Sequence, residues 1–309
     1  IIDTYDGERK SANSGDYVGI RAARVRGAEV EQPTLPAVNV RVGAQQQMAR
    51  EHRDEFIATV KPKFWMLLGS FEEAHHIKSL SPTTQVIIRH VDNEWGRYIW
   101  ADDKNEAARQ LIGRFQDSLL TNADVIDYVV GLNEWIATND YPALEASGPW
   151  VEAFCEELDK MGWPARPICL NAGVGNPQHD WICDEQGIPR QTSMLVRAAK
   201  ALEAAQGMAG YHAYWGATND YCTLGTDQSI HYEERWVDWA RTFADHNCHV
   251  QIALTECGAI WIADNGSMPN AEMGWKHPDV LNGDVYRYAD QIVKFDNRID
   301  VLNEELGNI

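Results

Sequence analysis

Two glutamates in this chain stand where an apolar run stops. One run reads Tyr128-Val-Val-Gly-Leu-Asn133-Glu134-Trp135, and the other reads Ile252-Ala-Leu-Thr-Glu256-Cys-Gly258. If both runs are parallel strands of one α/β sheet, both carboxylates lie at strand C-terminal ends, where such folds keep their reactive groups. Two facing carboxylates suit displacement at an acetal carbon: one is protonated to assist the leaving oxygen, the other ionised to attack. Attack with retention asks for a separation of about 5–5.5 Å. The dipeptide Asn-Glu selects nothing by itself, because it recurs at Asn93-Glu94, Asn105-Glu106 and Asn303-Glu304. Asn105-Glu106 reads as a helix start, where an acidic residue favours the helix dipole. Asn93-Glu94 follows another apolar run and is the main competitor.

Other polar groups cluster around the same strand ends. His212 and Tyr214 flank Ala213 and therefore share one face of a strand, as satisfied core polars or as site groups. Arg89 and His90 point to opposite faces, and Arg89 is the favoured site residue. Asn133, beside the acid, either shapes the turn or binds a sugar 2-hydroxyl. The chain has 12 tryptophans. Trp135, Trp215 and Trp261 fall at strand ends or in the loops after them, and are chosen as platforms for sugar C–H faces. Trp150, Trp236 and Trp239 fall in helical patterns and read as packing residues.

The elements that must carry these residues alternate in type. Short apolar runs at 37–44, 64–69, 85–91, 125–132, 167–172, 209–215 and 249–255 predict seven strands. Helical faces lie between them: Ala108/Leu111/Ile112/Phe115/Leu119, Val151/Phe154/Cys155/Leu158, Met194/Leu195/Ala198/Leu202, Trp236/Val237/Ala240/Phe243 and Val285/Tyr288/Ala289/Ile292. Ser147 is the expected N-cap of the second of these, with Pro149 in its first turn and Gly162 ending it. An eighth strand is sought near 299–302 and is uncertain. The fold expected is a (β/α)8 barrel over 37–309, preceded by a polar extension or linker over 1–36. A doubly wound sheet would also use seven strands, but neither GxGxxG nor GxxxxGK[ST] occurs.

Composition removes several classes of function. With 44% hydrophobic and 24% charged residues, the chain is ordinary for a globular protein. Its net charge of −19 disfavours nucleic acid and anionic membranes as partners. No window is long and apolar enough for a transmembrane helix. Ile1-Ile2-Asp3 has neither a starting Met nor a signal-peptide layout, which reads as a segment of something longer. The six cysteines form no CxxC pair. Cys155, Cys169 and Cys257 read as buried thiols, while Cys183 and Cys222 lie in loop-like stretches and could pair. No metal site is expected, since HExxH is absent and His75-His76 diverge. The missing GxSxG elbow disfavours an esterase. A phosphate-binding metabolic barrel would want a Gly-rich anion site, and only Gly258 and Gly266 are in place.

Gly-Leu-Asn133-Glu134-Trp135 on the fourth strand, Gly210-Tyr-His212-Ala-Tyr214-Trp215 on the sixth and Leu-Thr-Glu256-Cys-Gly on the seventh together resemble clan A of the glycoside hydrolases. The similarity runs from about Val38 to Phe295. It also extends to little-characterised barrel proteins attached to bacterial or phage cell-surface machinery. The resemblance implies Glu134 as acid/base and Glu256 as nucleophile, with Tyr214 holding Glu256 and His212 near the sugar. It also implies a polar role at the third strand, where Arg89 lies. Clan members place a Trp at the end of strand eight, and no such Trp can be assigned.

The reading expected is a retaining glycoside hydrolase acting on an oligo- or polysaccharide without cofactor, extracellular or associated with a cell surface or virion. The rival is a non-catalytic barrel serving as a carbohydrate-binding or structural module of a larger assembly.

Overall fold

The computed structural model describes residues 44–46, 53–69, 71–90, 96–134, 141–173, 193–217, 222–226, 233–260 and 280–306. Its centre is a sheet of seven parallel strands: β1 (Ala44–Gln46), β2 (Phe64–Leu68), β3 (Gln85–Arg89), β4 (Tyr128–Val130), β5 (Arg166–Ala172), β6 (Met208–Gly216) and β7 (Gln251–Ile260). They lie side by side in chain order, every neighbour parallel. A doubly wound sheet reverses its order at a switch point, and this sheet does not. Among the described residues, β1 and β7 form its two edges. The expected extension over 1–36 and most of the first predicted strand lie outside those residues.

Nine α-helices are described: α1 (Arg53–Val60), α2 (Ala74–Leu80), α3 (Gly96–Ile99), α4 (Lys104–Gly113), α5 (Gln116–Asn122), α6 (Tyr141–Lys160), α7 (Ser193–Ala204), α8 (Trp236–Asp245) and α9 (Val285–Glu305). Asp103 caps α4 by accepting the N–H of Glu106 at 2.9 Å, so Asn105-Glu106 is a helix start, as its position predicts.

Period-two alternation divides the buried side chains into two cores. Trp65, Leu67, Val86, Ile88, Val129, Ala209 and Tyr211 pack in the large core with the helices. Met66, Leu68, Ile87, Tyr128, Val130, Ile168 and Met208 form a separate cluster on the other face. A sheet buried on both faces needs apolar residues at every position, which is why its strands read as continuous runs.

Two boundaries differ from expectation. Helix α6 begins at Tyr141, not at Ser147, and runs through Pro149. Ser147 is fully buried and its hydroxyl donates to the Leu144 carbonyl at 2.5 Å, so it satisfies itself within the helix instead of capping it. Proline forfeits one helical hydrogen bond, and the burial of Ala143, Leu144, Trp150 and Phe154 offsets that loss. The eighth strand sought near 299–302 is not a strand. Helix α9 continues through it, because Ile292, Phe295, Ile299, Leu302 and Leu306 extend one apolar stripe at three- and four-residue spacing.

The turn into β6 leaves no room for a side chain at Gly207, where a Cβ would lie 2.4 Å from the Pro167 carbonyl oxygen. At Gly113, ending α4, the same atom would meet nothing within 4 Å. Gly207→Ala is expected to destabilise the fold by about 1–3 kcal/mol in urea unfolding, as overpacking does. Gly113→Ala should be neutral or stabilising by about 0.5–1 kcal/mol. Equal effects at the two positions would contradict the close β5–β6 approach.

Candidate active site

The sequence-predicted polar residues converge at the C-terminal ends of β3, β4, β6 and β7. Arg89 is the last residue of β3, Glu134 follows β4, His212 and Tyr214 lie on β6, and Glu256 lies on β7. Arg89 belongs to the same alternation as Ile87, which places it on the inner face. His90 faces the other way, its ring edge-on to Phe115 with centroids 5.8 Å apart.

Glu256 reaches the inner face through an irregularity. Tyr211 pairs with Leu254 but His212 pairs with Glu256, so β7 carries one extra residue at Thr255. Without that bulge, strict alternation would put Glu256 on the helix-facing side. With it, Glu256 shares a face with His212 and Tyr214.

The Glu256 carboxylate is 6% exposed and fully partnered. The Arg89 guanidinium donates to Oε1, and the Tyr214 hydroxyl donates to Oε2. His212, fully buried, sets Nδ1 2.9 Å from Glu134 Oε1 and 3.6 Å from Glu256 Oε2. Burial alone would push the Glu256 carboxyl upward. The His212 ring and the Arg89 guanidinium beside it, with hydrogen bonds from Tyr214 and Arg89, outweigh burial and hold it at about 2. Glu256 is therefore an ionised carboxylate at neutral pH.

Glu134 has a different setting. Its side chain is half exposed, at 52%. Its backbone takes the left-handed conformation, φ 50°, which costs a non-glycine residue about 1–2 kcal/mol. A hydrogen bond from its N–H to the Asn171 carbonyl, 3.0 Å, holds it there. Strained backbone at a strand end is a recurrent mark of functional sites. Asn133, beside it, is 7% exposed, with Oδ1 buried and unpartnered among the described residues.

One aromatic expectation is corrected. Trp215 lies on the helix-facing side, 1% exposed, with its indole N–H donating to Gln291 Oε1 at 2.8 Å. Its ring packs on Tyr288 and Phe295 of α9. It is a core residue, and alternation with Tyr214 already puts the two on opposite faces. Trp135, Trp261 and the competing Asn93-Glu94 lie outside the described residues. Cys222 is a free thiol, and Cys183, with which it could pair, also lies outside them.

One donor atom each from Glu134, His212 and Glu256 lies within 4.8 Å of the others, a set that could hold a cation. Arg89 already neutralises Glu256 and would repel such an ion.

A second buried carboxylate, Glu233, stands apart from this group. It is fully buried and accepts from the Thr223 hydroxyl at 3.1 Å. Burial pushes it up to about 8.

Two measurements test these electrostatics. Arg89→Met leaves Glu256 a buried carboxylate short of a charge partner, and should cost about 3–5 kcal/mol in urea unfolding at pH 7. Adding Glu256→Gln should recover most of that loss, and no recovery would show that Arg89 acts elsewhere. Glu233 has its folded-state pKa above the ordinary carboxylate value. Its burial therefore costs nothing below about pH 4.5, and the protein loses stability as pH rises from there towards about 8. Glu233→Gln should raise Tm at pH 8.5 and leave it unchanged at pH 4.5.

No family model and no curated protein matches the sequence. Among solved structures, the chain is similar to an endo-β-1,4-mannanase from Thermotoga petrophila (TM-score 0.41, 11% identity, 71% of this chain and 60% of that one). It is similar to an endo-β-1,4-glucanase from Xanthomonas axonopodis pv. citri (TM-score 0.43, 14% identity, 80% and 77%). It is also similar to the chitinase domain of the spore coat protein CotE from Clostridium difficile (TM-score 0.42, 12% identity, 83% and 73%). The mannanase is thus matched over less than two thirds of its own length. Similarity at these scores and identities carries no argument about the chemistry of this chain.

Proposed function

We propose that the chain is a retaining glycoside hydrolase whose sheet belongs to a (β/α)8 barrel, with Glu256 as nucleophile and Glu134 as acid/base. The supporting observation is the carboxylate pair: a Glu134 oxygen lies within 4.8 Å of a Glu256 oxygen. Retaining pairs stand about 5–5.5 Å apart and inverting pairs about 6.5–9.5 Å. The two environments differ as the chemistry requires, one carboxylate buried and ionised, the other open to solvent at the strand ends.

In the first step a Glu256 oxygen bonds to the anomeric carbon as the glycosidic C–O bond breaks. The departing oxygen takes a proton from Glu134, leaving a glycosyl ester on Glu256 and a free alcohol. In the second step water attacks the same carbon, Glu134 takes its proton, and Glu256 departs as carboxylate. Arg89 and Tyr214 hold one Glu256 oxygen each, so the attacking atom keeps its position as its charge falls. His212 joins the acid to the nucleophile. The orphaned Asn133 acceptor would take a hydrogen bond from a sugar hydroxyl, which would supply the partner it lacks. The substrate would be an oligo- or polysaccharide, and no step calls for a cofactor.

The test is a glycan hydrolysis screen in which the product's anomeric configuration is read by NMR. Glu134→Gln should lower turnover by about 10²–10⁴-fold, and Glu256→Gln should abolish it. Azide should restore turnover to Glu256→Gly by replacing the missing nucleophile. Inverted product from the wild type would make the pair an inverting one. Glycan binding without turnover would instead support the non-catalytic module.

A further inference from the structure

Two irregular strands face each other across β6. Strand β5 carries an extra residue between Cys169 and Ala172, where Leu170 and Asn171 take positive φ of 79° and 32°. Strand β7 carries its own at Thr255, the residue that turns Glu256 inward. One side chain connects them. Asn171 is fully buried. Its Nδ2 donates to the Leu132 carbonyl at 3.0 Å, two residues before Glu134. Its Oδ1 accepts from the Thr255 hydroxyl at 3.2 Å, one residue before Glu256. Its backbone carbonyl accepts the Glu134 N–H at 3.0 Å.

To make these contacts the amide crosses the β6 backbone at Gly210, where a Cβ would lie 2.0 Å from Oδ1 and 2.8 Å from Cγ. Only glycine leaves that passage open, so Gly210 and Asn171 form a matched pair. Each of these three bonds lands within two residues of one or other glutamate. A side chain needed only to fill space would not have to satisfy both strand ends.

We propose that Asn171, seated over Gly210, is the positioning residue that sets the separation of Glu134 and Glu256. This rests on the glycosidase reading for its consequence in turnover, though not for its consequence in geometry. Asn171 touches no reacting atom. It acts by holding the strained backbone of Glu134 and the bulge under Glu256 in one frame.

The experiment compares wild type, Asn171→Ala, Asn171→Ala/Gly210→Ala and Thr255→Val, each by crystal structure and by kinetics on a glycan the wild type cleaves. Thr255→Val keeps the volume and removes the hydroxyl that Asn171 Oδ1 shares with the Tyr211 carbonyl, which guards against a fold lost in Asn171→Ala. Positioning predicts that the Glu134–Glu256 separation lengthens by about 1 Å in the Asn171 variants, and that kcat falls by roughly 10²-fold with KM little changed. The double variant refills the space above β6 without restoring a hydrogen bond, so it should stay impaired. Recovery of the separation and of kcat in the double variant would show a packing role and overturn the proposal. An unchanged separation in both Asn171→Ala and Thr255→Val would overturn it as well. If the wild type cleaves no glycan, the glycosidase reading fails while the carboxylate separations still decide the role of Asn171.

Discussion

A carboxylate almost sealed from solvent must be paired or protonated, and Glu256 is paired. Stripping water from an ion costs several kcal/mol even after relaxation, so its partners have to be present and well aimed. Arg89 brings charge from β3, while Tyr214 and His212 bring a hydroxyl and an imidazole from β6. Those partners come from strands that are not adjacent in the sheet, since β4 and β5 lie between β3 and β6. The arrangement therefore needs the sheet to curve until β3 faces β6 and β7 across the inner face. Satisfying one buried charge and bending the sheet are a single requirement.

The same requirement accounts for the division of the core. The cluster from Met66 to Met208 fills the inner face, and the polar group sits beyond it at the strand ends. Apolar packing supplies most of the favourable free energy, and the polar group draws on that stability to keep its ionised member buried.

Much of this was legible in the sequence where periodicity speaks. The parallel strands follow from apolar runs alternating with helical faces, while the opposite faces of Arg89 and His90 and the shared face of His212 and Tyr214 follow from period-two alternation. The same rule, applied to Trp215, excludes it from the face of Tyr214, yet its place at a strand end suggested a sugar platform. The bulge at Thr255 was not legible, because an extra residue in a strand leaves no mark on composition, and strict alternation then assigns Glu256 to the wrong face. The role of Asn171 is hidden for a related reason. It reads as a lone polar residue closing an apolar run, and only the sheet reveals what it reaches. At α6 a proline and a serine signalled a helix start, and tertiary burial overrode both. At 299–302 a short apolar run could not be told from the tail of a helix until its stripe was seen to continue α9.

The left-handed backbone at Glu134 bears on how such a chain would drift. Glycine is the residue that this conformation suits best, and replacing glutamate with it would relieve strain while deleting the carboxylate. Selection for thermal robustness alone, as in a laboratory library, would therefore favour losing this side chain. A relative with glycine here and the Glu256 cluster intact would be the signature of a fold that had given up this carboxylate for durability.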